Sequence, residues 1–443
     1  MSSVVEKLRS ARPDAVVFEA HAAPYQAVLQ CAREMRDGAG RLVAFGTVPT
    51  FTPQQVVGPE LPFDVAVQGE SELSVAEVLD RFASGRPVAD VLGTAAWDEA
   101  ARQVLRAPPR ELLVDLDRLP PLEYEGLDLS HYHKYSFPVP IHRTVRWGHV
   151  LSTRGCPYPC SHCSIDHRQS FGRRLRKHSP ARIGEAFQHL AEKHGVNAIS
   201  IEDDIFTLDH KHVHAICDEI EKRGLDVKWV AQTRVDCIDR ELVRRMKRAG
   251  CVGLSLGIES GNDRILVVLK KGFTRAQALE GIRICQEEGL MLRLLFMVGN
   301  PSETLQDAAE TIDLARRSSA ITIQVHIATP YPGTTLSVES DVGNALHDFS
   351  SYNRIVRNMS RIPDAQLWKL QKAFYRSYYF SLRYGLLFAR QRLRYLAGSW
   401  RHDLPLMLAA FRYLAWESRR PAVRDVDASF AAAASVPVEG PRP

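Results

Sequence analysis

At 443 residues the chain is long enough for two or three domains, and its 45% hydrophobic and 25% charged content is that of an ordinary globular protein. No uninterrupted apolar stretch reaches the roughly eighteen residues of a membrane span, and the formal net charge of +5 is mild. Eight cysteines without a secretory signal point to a reducing compartment, so a cytoplasmic protein is expected and a disulfide framework is not.

Residues 1–85 alternate strand-like and helix-like segments. Ala15–Glu19 reads as a short buried strand, 25–36 as a helix, Arg41–Phe45 as a second strand, 64–67 as a third and 73–82 as a helix. This order with short turns implies a parallel sheet of the Rossmann-like type. Ligands of such sheets sit outside the carboxyl ends of the strands, which puts 20–24, 46–50 and 68–72 on one rim. Residues 86–145 are proline-rich (Pro108-Pro109, Pro120-Pro121, Pro138, Pro140) and weakly periodic, and read as a connector.

From 146 to about 340 the alternation returns. Strand-like runs at 149–153, 198–202, 227–233, 253–258, 291–298 and 322–328 are separated by helix-like runs at 180–194, 209–223, 239–249, 274–288 and 304–318. Ordered parallel strands with right-handed crossovers predict a partial (β/α)6 barrel, with active residues at the strand carboxyl ends. Residues 341–420 look helical, and 421–443 have the composition of a disordered tail. The predicted class is α/β: a truncated Rossmann-like parallel sheet, then a partial barrel, then a helical C-terminal region.

The first barrel strand runs into S-T-R-G-C-P-Y-P-C-S-H-C (152–163), which sets Cys156, Cys160 and Cys163 at a C-x3-C-x2-C spacing. Three thiolates on one short loop suit three corners of a cubane iron–sulfur cluster, with the fourth iron open to a small molecule. A structural zinc site completed by His162 or His167 is the alternative. A ferredoxin-type cluster calls for a fourth nearby cysteine, and none occurs. Cys31, Cys217, Cys237, Cys251 and Cys285 are scattered singly and read as small buried hydrophobes.

Together with the cysteine loop, five further runs carry a family resemblance: D-V-A-V-Q-G-E-S-E-L (64–73), S-I-E-D-D-I-F (200–206), L-S-L-G-I-E-S-G (254–261), M-V-G-N-P-S-E-T (297–304) and A-T-P-Y-P-G-T (328–334). The chain resembles the radical S-adenosylmethionine (SAM) superfamily, in the branch with an N-terminal cobalamin-binding domain, over roughly residues 12–85 and 145–385. The resemblance implies that Cys156, Cys160 and Cys163 bind a 4Fe–4S cluster. SAM would chelate the open iron and be cleaved to a 5′-deoxyadenosyl radical. By the same resemblance Glu202, Asp203 and Asp204 face the methionine ammonium, and Glu259 faces the ribose hydroxyls or that ammonium. Gly299, Pro332 and Gly333 would let backbone approach the adenine. Arg234 and Arg293 are candidates for the SAM carboxylate or for barrel ion pairs. Each acid also has a plain alternative as a helix N-cap at a βα turn.

Cobalamin is the third cofactor the resemblance implies, with methylation or oxidative cyclisation as the chemistry. The N-terminal stretch departs from the full cobalamin domain. It opens at the helix before what should be the third strand, it contains no D-x-H-x-x-G, and Gly46-Thr47 stands where the family often has Gly-Gly. His21, on the same rim, reads as an ordinary polar residue. Radical chemistry with SAM alone, or a non-catalytic iron–sulfur sensor, are the alternative readings. Expected partners are a small-molecule or lipid-like substrate and a flavodoxin- or ferredoxin-type electron donor.

Between 367 and 420, eleven Lys/Arg alternate with aromatic residues. A helical cap on the barrel, a peripheral membrane contact and nucleic-acid binding all use such a pattern, and the cap is the plainest of the three.

Overall fold

The computed structural model describes residues 2–22, 24–36, 40–129, 145–163, 171–341 and 355–387. Its N-terminal unit comprises α1 (Ser2–Ala11), β1 (Ala15–Glu19), α2 (Tyr25–Met35), β2 (Arg41–Phe45), α3 (Thr47–Phe51), β3 (Val65–Val67), α4 (Glu72–Ala83), β4 (Thr94–Asp98) and β5 (Gln103–Arg106). The strands form one sheet in chain order; β1, β2 and β3 run parallel, and β4 and β5 add antiparallel. Its parallel part is covered on both faces, so its strands read as continuous apolar runs. Leu42 and Ala44 pack with Val5, Tyr25 and Met35 on one side, while Val43, Val65 and Val67 pack with Val78 on the other. Strands β4 and β5 fall inside the stretch expected to be a mere connector. They are short, antiparallel and flanked by prolines, and so lack the βα rhythm that marks the other strands.

The second unit comprises β6 (Trp147–Val150), β7 (Thr153–Arg154), β8 (Arg176–Lys177), α5 (Pro180–His194), β9 (Ala198–Ile201), α6 (His210–Lys222), β10 (Lys228–Thr233), α7 (Arg240–Arg248) and β11 (Cys251–Glu259). It continues through α8 (Asp263–Val268), α9 (Arg275–Glu287), β12 (Met291–Val298), α10 (Leu305–Arg317), β13 (Thr322–Ile327), α11 (Thr335–Glu339) and α12 (Asp364–Tyr379). Six parallel strands lie in the order β6-β9-β10-β11-β12-β13, the partial barrel expected from the sequence. Strands β7 and β8 pair separately as a small antiparallel hairpin.

The outer helices start where the sequence supplies a cap. Ser179, Asp209, Asp239, Thr274 and Thr304 each accept a hydrogen bond from the backbone N–H three residues on. Thr274–Gln277 and Thr304–Asp307 complete reciprocal capping boxes. Phe187, Leu190, Ile216, Trp229, Leu254 and Phe296 fill the layer between helices and sheet. Trp147, Ala198 and Val230, near the starts of their strands, pack with Val252, Met291 and Ile321 in a separate cluster that floors the barrel.

An open barrel leaves two edge strands whose backbone groups need partners. Helix α12 supplies them along β13. Tyr375 Oη accepts from Val325 N at 2.8 Å, Tyr379 Oη accepts from Ile323 N at 3.0 Å, and Gln371 Nε2 donates to Val325 O at 2.8 Å. On the other edge Tyr124 Oη donates to the carbonyl of His149 at 2.7 Å. Helix α12 lies within 355–387, the described part of the C-terminal region expected to be helical; most of the basic-aromatic stretch and the 421–443 tail lie outside the described residues. Among the described residues no helix is long and apolar enough to cross a membrane.

Glu303, in the loop before α10, is fully buried and accepts from the backbone N–H groups of Gly299 and Asn300 at 2.6 and 3.0 Å. Burial outweighs those bonds and raises its pKa to about 7. The folded state therefore holds this proton more tightly than the unfolded chain. Its contribution is fully present below the ordinary carboxyl range and is lost as pH rises through 7, on the order of 3 kcal/mol in all. Glu303→Gln should flatten that part of the profile, so the difference in Tm between variant and wild type should rise from pH 5 to pH 8.

Candidate active site

The cysteine loop leaves the carboxyl end of β6, and its entry is fixed by one carboxylate. Asp203, just past β9 and wholly buried, accepts from Ser152 N at 2.6 Å, Thr153 N at 3.0 Å, Thr153 Oγ1 at 2.8 Å and also Ser152 Oγ. Burial raises its pKa to about 6, against the pull of these bonds. The family resemblance places Asp203 among the SAM-contacting acids. In the structure both its oxygens tie β9 to the start of the loop.

Beyond this anchor the chain turns at Gly155 (φ +96°), where a Cβ would lie 2.3 Å from the carbonyl oxygen of Arg174, so only glycine fits. Cys156 N donates to Gly172 O at 3.3 Å. Further along, Ser161 N donates to Leu269 O at 3.0 Å and Leu336 N donates to Ser161 O at 3.1 Å, strapping the loop to α8 and α11. Tyr158 packs with Cys156, Ile205 and Cys237, and its hydroxyl lies 3.2 Å from Cys237 Sγ.

Arg234, at the end of β10, is 5% exposed and projects toward the same loop. Its Nη1 lies 3.4 Å from Cys160 Sγ, its guanidinium covers the Tyr158 ring at 3.6 Å, and Asp236 holds it at 2.9 Å. It is therefore an ion-pair partner, one of the two roles expected from the sequence, and in addition a cation beside a thiol, which the sequence does not signal. Burial pushes the Cys163 thiol up to about 12, with Asp204 and the other two thiols acting the same way. Burial also raises Cys156, again helped by Asp204 and Cys160. The three thiols and Asp204 thus lie within electrostatic reach of one another, and metal binding would proceed by displacing thiol protons.

Glu259 ends β11 with φ +64° and reaches Lys271 Nζ at 3.4 Å and His162 Nε2 at 3.7 Å. A Cβ on Gly257 would come within 2.8 Å of its carboxylate, so the glycine makes room for it. His162 is half-buried, desolvation lowers its pKa to about 4 and so keeps it neutral, and among the described residues its buried Nδ1 has no partner. Lys271, only 4% exposed, is not singled out by the sequence; its one local signal is the K-K-G-F turn after α8.

Below the loop the barrel lumen is polar. His149 Nδ1 lies 2.8 Å from Glu202 Oε1, and Arg293 Nε donates to Ser255 Oγ at 2.9 Å. The hydrogen bond to His149 holds Glu202 below the usual carboxylate range despite partial burial, with Arg293 adding to the effect. Glu202 remains half-exposed toward the lumen. Gly299 and Gly333 have packing reasons of their own. A Cβ would meet Leu367 of α12 at 2.9 Å in the first case and Phe51 of α3 at 2.8 Å in the second, where Pro332 is also buried.

Among the described residues no three His, Cys, Asp or Glu side chains converge on a single metal ion. A cubane spreads its thiolates over separate irons, so the donor set is the relevant test. Three thiols on one strapped loop, a guanidinium on one of them and a buried unsatisfied imidazole nitrogen beside them fit an iron–sulfur cluster. His167, the other candidate zinc ligand, lies outside the described residues.

A family model described as the radical SAM superfamily matches residues 150–315. An uncharacterized methyltransferase of Pyrococcus horikoshii is 32% identical over 342 residues, covering 76% of this chain and 72% of the relative. The anaerobic magnesium-protoporphyrin IX monomethyl ester cyclase of Rubrivivax gelatinosus is 28% identical over 409 residues, covering 89% and 71%. Among solved structures, the radical SAM methyltransferase TsrM from Kitasatospora setae, with cobalamin and a [4Fe-4S] cluster bound, superposes with a TM-score of 0.61 at 21% identity. That match covers 76% of this chain and 66% of TsrM, and is a likeness of fold. The chain belongs to the radical SAM superfamily.

Asp203→Ala would leave two backbone N–H groups and two hydroxyls at the loop entry without their acceptor. It should cost about 3 kcal/mol or more in denaturant unfolding, whereas Asp204→Ala, outside that hydrogen-bond set, should cost much less.

Proposed function

We propose that this chain is a radical SAM enzyme that forms a carbon-centred radical on a small organic substrate, leading to cobalamin-linked methylation or oxidative cyclisation. The observation that carries the reading is the placement of Cys156, Cys160 and Cys163 on a strapped loop at the carboxyl end of the first barrel strand, directly above a polar lumen. In this reading the three cysteines hold the cluster, and reduction of the bound cluster supplies the electron that cleaves SAM.

The chain's own residues then have distinct tasks. Arg234 sets its guanidinium 3.4 Å from Cys160 Sγ and offers a cation to the charge that a cluster ligand carries there. Neutral His162 and the Tyr158 ring exclude water from the loop. Glu259, kept in place by Lys271, and Glu202, oriented by His149, offer carboxylates to the cationic and hydroxyl groups of SAM. Arg293 offers a cation to a carboxylate in the lumen. Asp204 lies within electrostatic reach of Cys156 and Cys163.

Support for cobalamin comes from the order of the two units and from the fold shared with TsrM. The loops on the carboxyl rim of the N-terminal sheet are tied to one another: Gly69 N donates to Thr50 Oγ1 and Gln68 Nε2 to Thr50 O, both at 3.1 Å. His21 is engaged by Glu19 at 2.9 Å on that rim. A flavodoxin- or ferredoxin-type protein is the proposed electron donor. A lipid-like substrate or peripheral membrane contact would draw on the basic-aromatic C-terminal stretch.

The test is anaerobic reconstitution with iron and sulfide, then SAM and reductant, with 5′-deoxyadenosine measured by mass spectrometry. Wild type should release the nucleoside and Cys160→Ala should fall to background; equal release, or none from a fully assembled cluster, would contradict the proposal. Hydroxocobalamin retained through gel filtration, read by its visible absorbance, would support the cobalamin-linked chemistry. Loss of the colour would favour SAM-only chemistry.

A further inference from the structure

Glu70 belongs to the N-terminal unit, on the loop after β3, yet its carboxylate is engaged by the barrel. Arg176 holds it in a fork, Nη2 to Oε1 at 2.6 Å and Nη1 to Oε2 at 3.0 Å, and Arg154 Nη1 adds a third contact at 3.3 Å. Arg154 turns its other terminal nitrogen to Glu72 at 2.6 Å. The side chains of Glu70, Arg154 and Arg176 are 12, 11 and 3% exposed. Among the described residues both arginine Nε atoms are buried without a partner, and Glu70 and Glu72 are the carboxylates paired with these two guanidinium groups.

The position of the two arginines gives the contact its meaning. They face each other across the β7–β8 hairpin, and Arg154 stands two residues before Cys156. Arg176 also donates to Leu113 O and Phe171 O, both at 2.8 Å, and Arg154 lies over the Phe171 ring at 5.2 Å. Across the same hairpin Cys156 N reaches Gly172 O. One carboxylate of the N-terminal unit therefore closes the base of the structure that carries the first cysteine.

We propose that Glu70 is a positioning residue of the cluster site: through Arg154 and Arg176, the N-terminal unit sets the conformation of the loop that presents Cys156. The proposal rests on the reading that the three cysteines hold a cluster. Glu70 and Glu72 also line a cavity of about 400 Å3 with Thr50, Gln68 and Arg110, so the rim and the cluster loop share these two carboxylates.

The experiment uses the full chain, reconstituted anaerobically, as wild type, Glu70→Gln, Glu70→Asp, Glu72→Gln and Asp64→Asn. Asp64 holds Arg36 and Arg41 within the N-terminal unit and reports loss of an ion pair away from the loop. The readouts are cluster loss to an iron chelator and the EPR spectrum of the reduced cluster. Glu70→Gln should lose its cluster about ten-fold faster or more and shift the EPR signal, with Glu70→Asp recovering most of both and Asp64→Asn resembling wild type. Should Glu70→Gln fail to fold, Glu72→Gln carries the test, with a smaller change in the same direction. Wild-type spectra and chelator resistance in the variant that folds, or changes no larger than those of Asp64→Asn, would overturn the proposal. Failure of wild type itself to assemble a cluster would refute the cysteine reading and, with it, a role for Glu70 at a cluster site, whereas a stable wild-type cluster indifferent to Glu70 would refute the role of Glu70 alone.

Discussion

A loop that must present three cysteines in one geometry has little apolar surface of its own, so its shape depends on polar anchors. The buried carboxylate of Asp203 is the first of them. By taking the backbone N–H groups and hydroxyls of Ser152 and Thr153, it fixes where the chain leaves β6 and hence where Cys156 begins. Gly155 then sets the turn, Ser161 is strapped from two sides, and Arg234 places its charge on Cys160. Apart from Gly155, the partners of the loop come from different elements, so the loop is correct only when the barrel is assembled around it.

The two units are interlocked at the same place. Glu70 reaches from the N-terminal rim to the arginines of the cysteine hairpin, and the 328–334 loop returns the contact by laying Gly333 against Phe51. Both contacts lie at the carboxyl ends of their sheets, which is where parallel sheets place ligands. The carboxyl rims of the two sheets therefore meet across these contacts. The likeness of fold to TsrM is consistent with that arrangement.

Much of this architecture is legible in the amino-acid sequence. The barrel strands are buried runs separated by helices with Ser, Asp or Thr caps, and every one of the six expected strands is present. The cysteine spacing locates the loop at a strand end. Side-chain orientation is what the sequence does not carry. Glu202, Asp203 and Asp204 are adjacent acids, yet one faces the lumen, one is buried beneath the loop and one acts on the thiols through its charge. Gly299 and Gly333 suit a ligand role on sequence grounds, but their neighbours Leu367 and Phe51 come from distant parts of the chain. Lys271 and Glu70 are similarly hidden, because their partners are set by tertiary contacts. Strands β4 and β5 escape a reading by pattern because proline-flanked antiparallel strands carry no βα rhythm.

The central claim is that Cys156, Cys160 and Cys163 hold a cluster with one iron left open for SAM. Mössbauer spectroscopy of the anaerobically reconstituted, iron-isotope-enriched chain, recorded with and without SAM, tests it most directly. The account predicts a cubane cluster in which a single iron changes its environment when SAM is added. A cluster whose irons all ignore SAM, or a chain that takes up zinc and assembles no cluster, would contradict it.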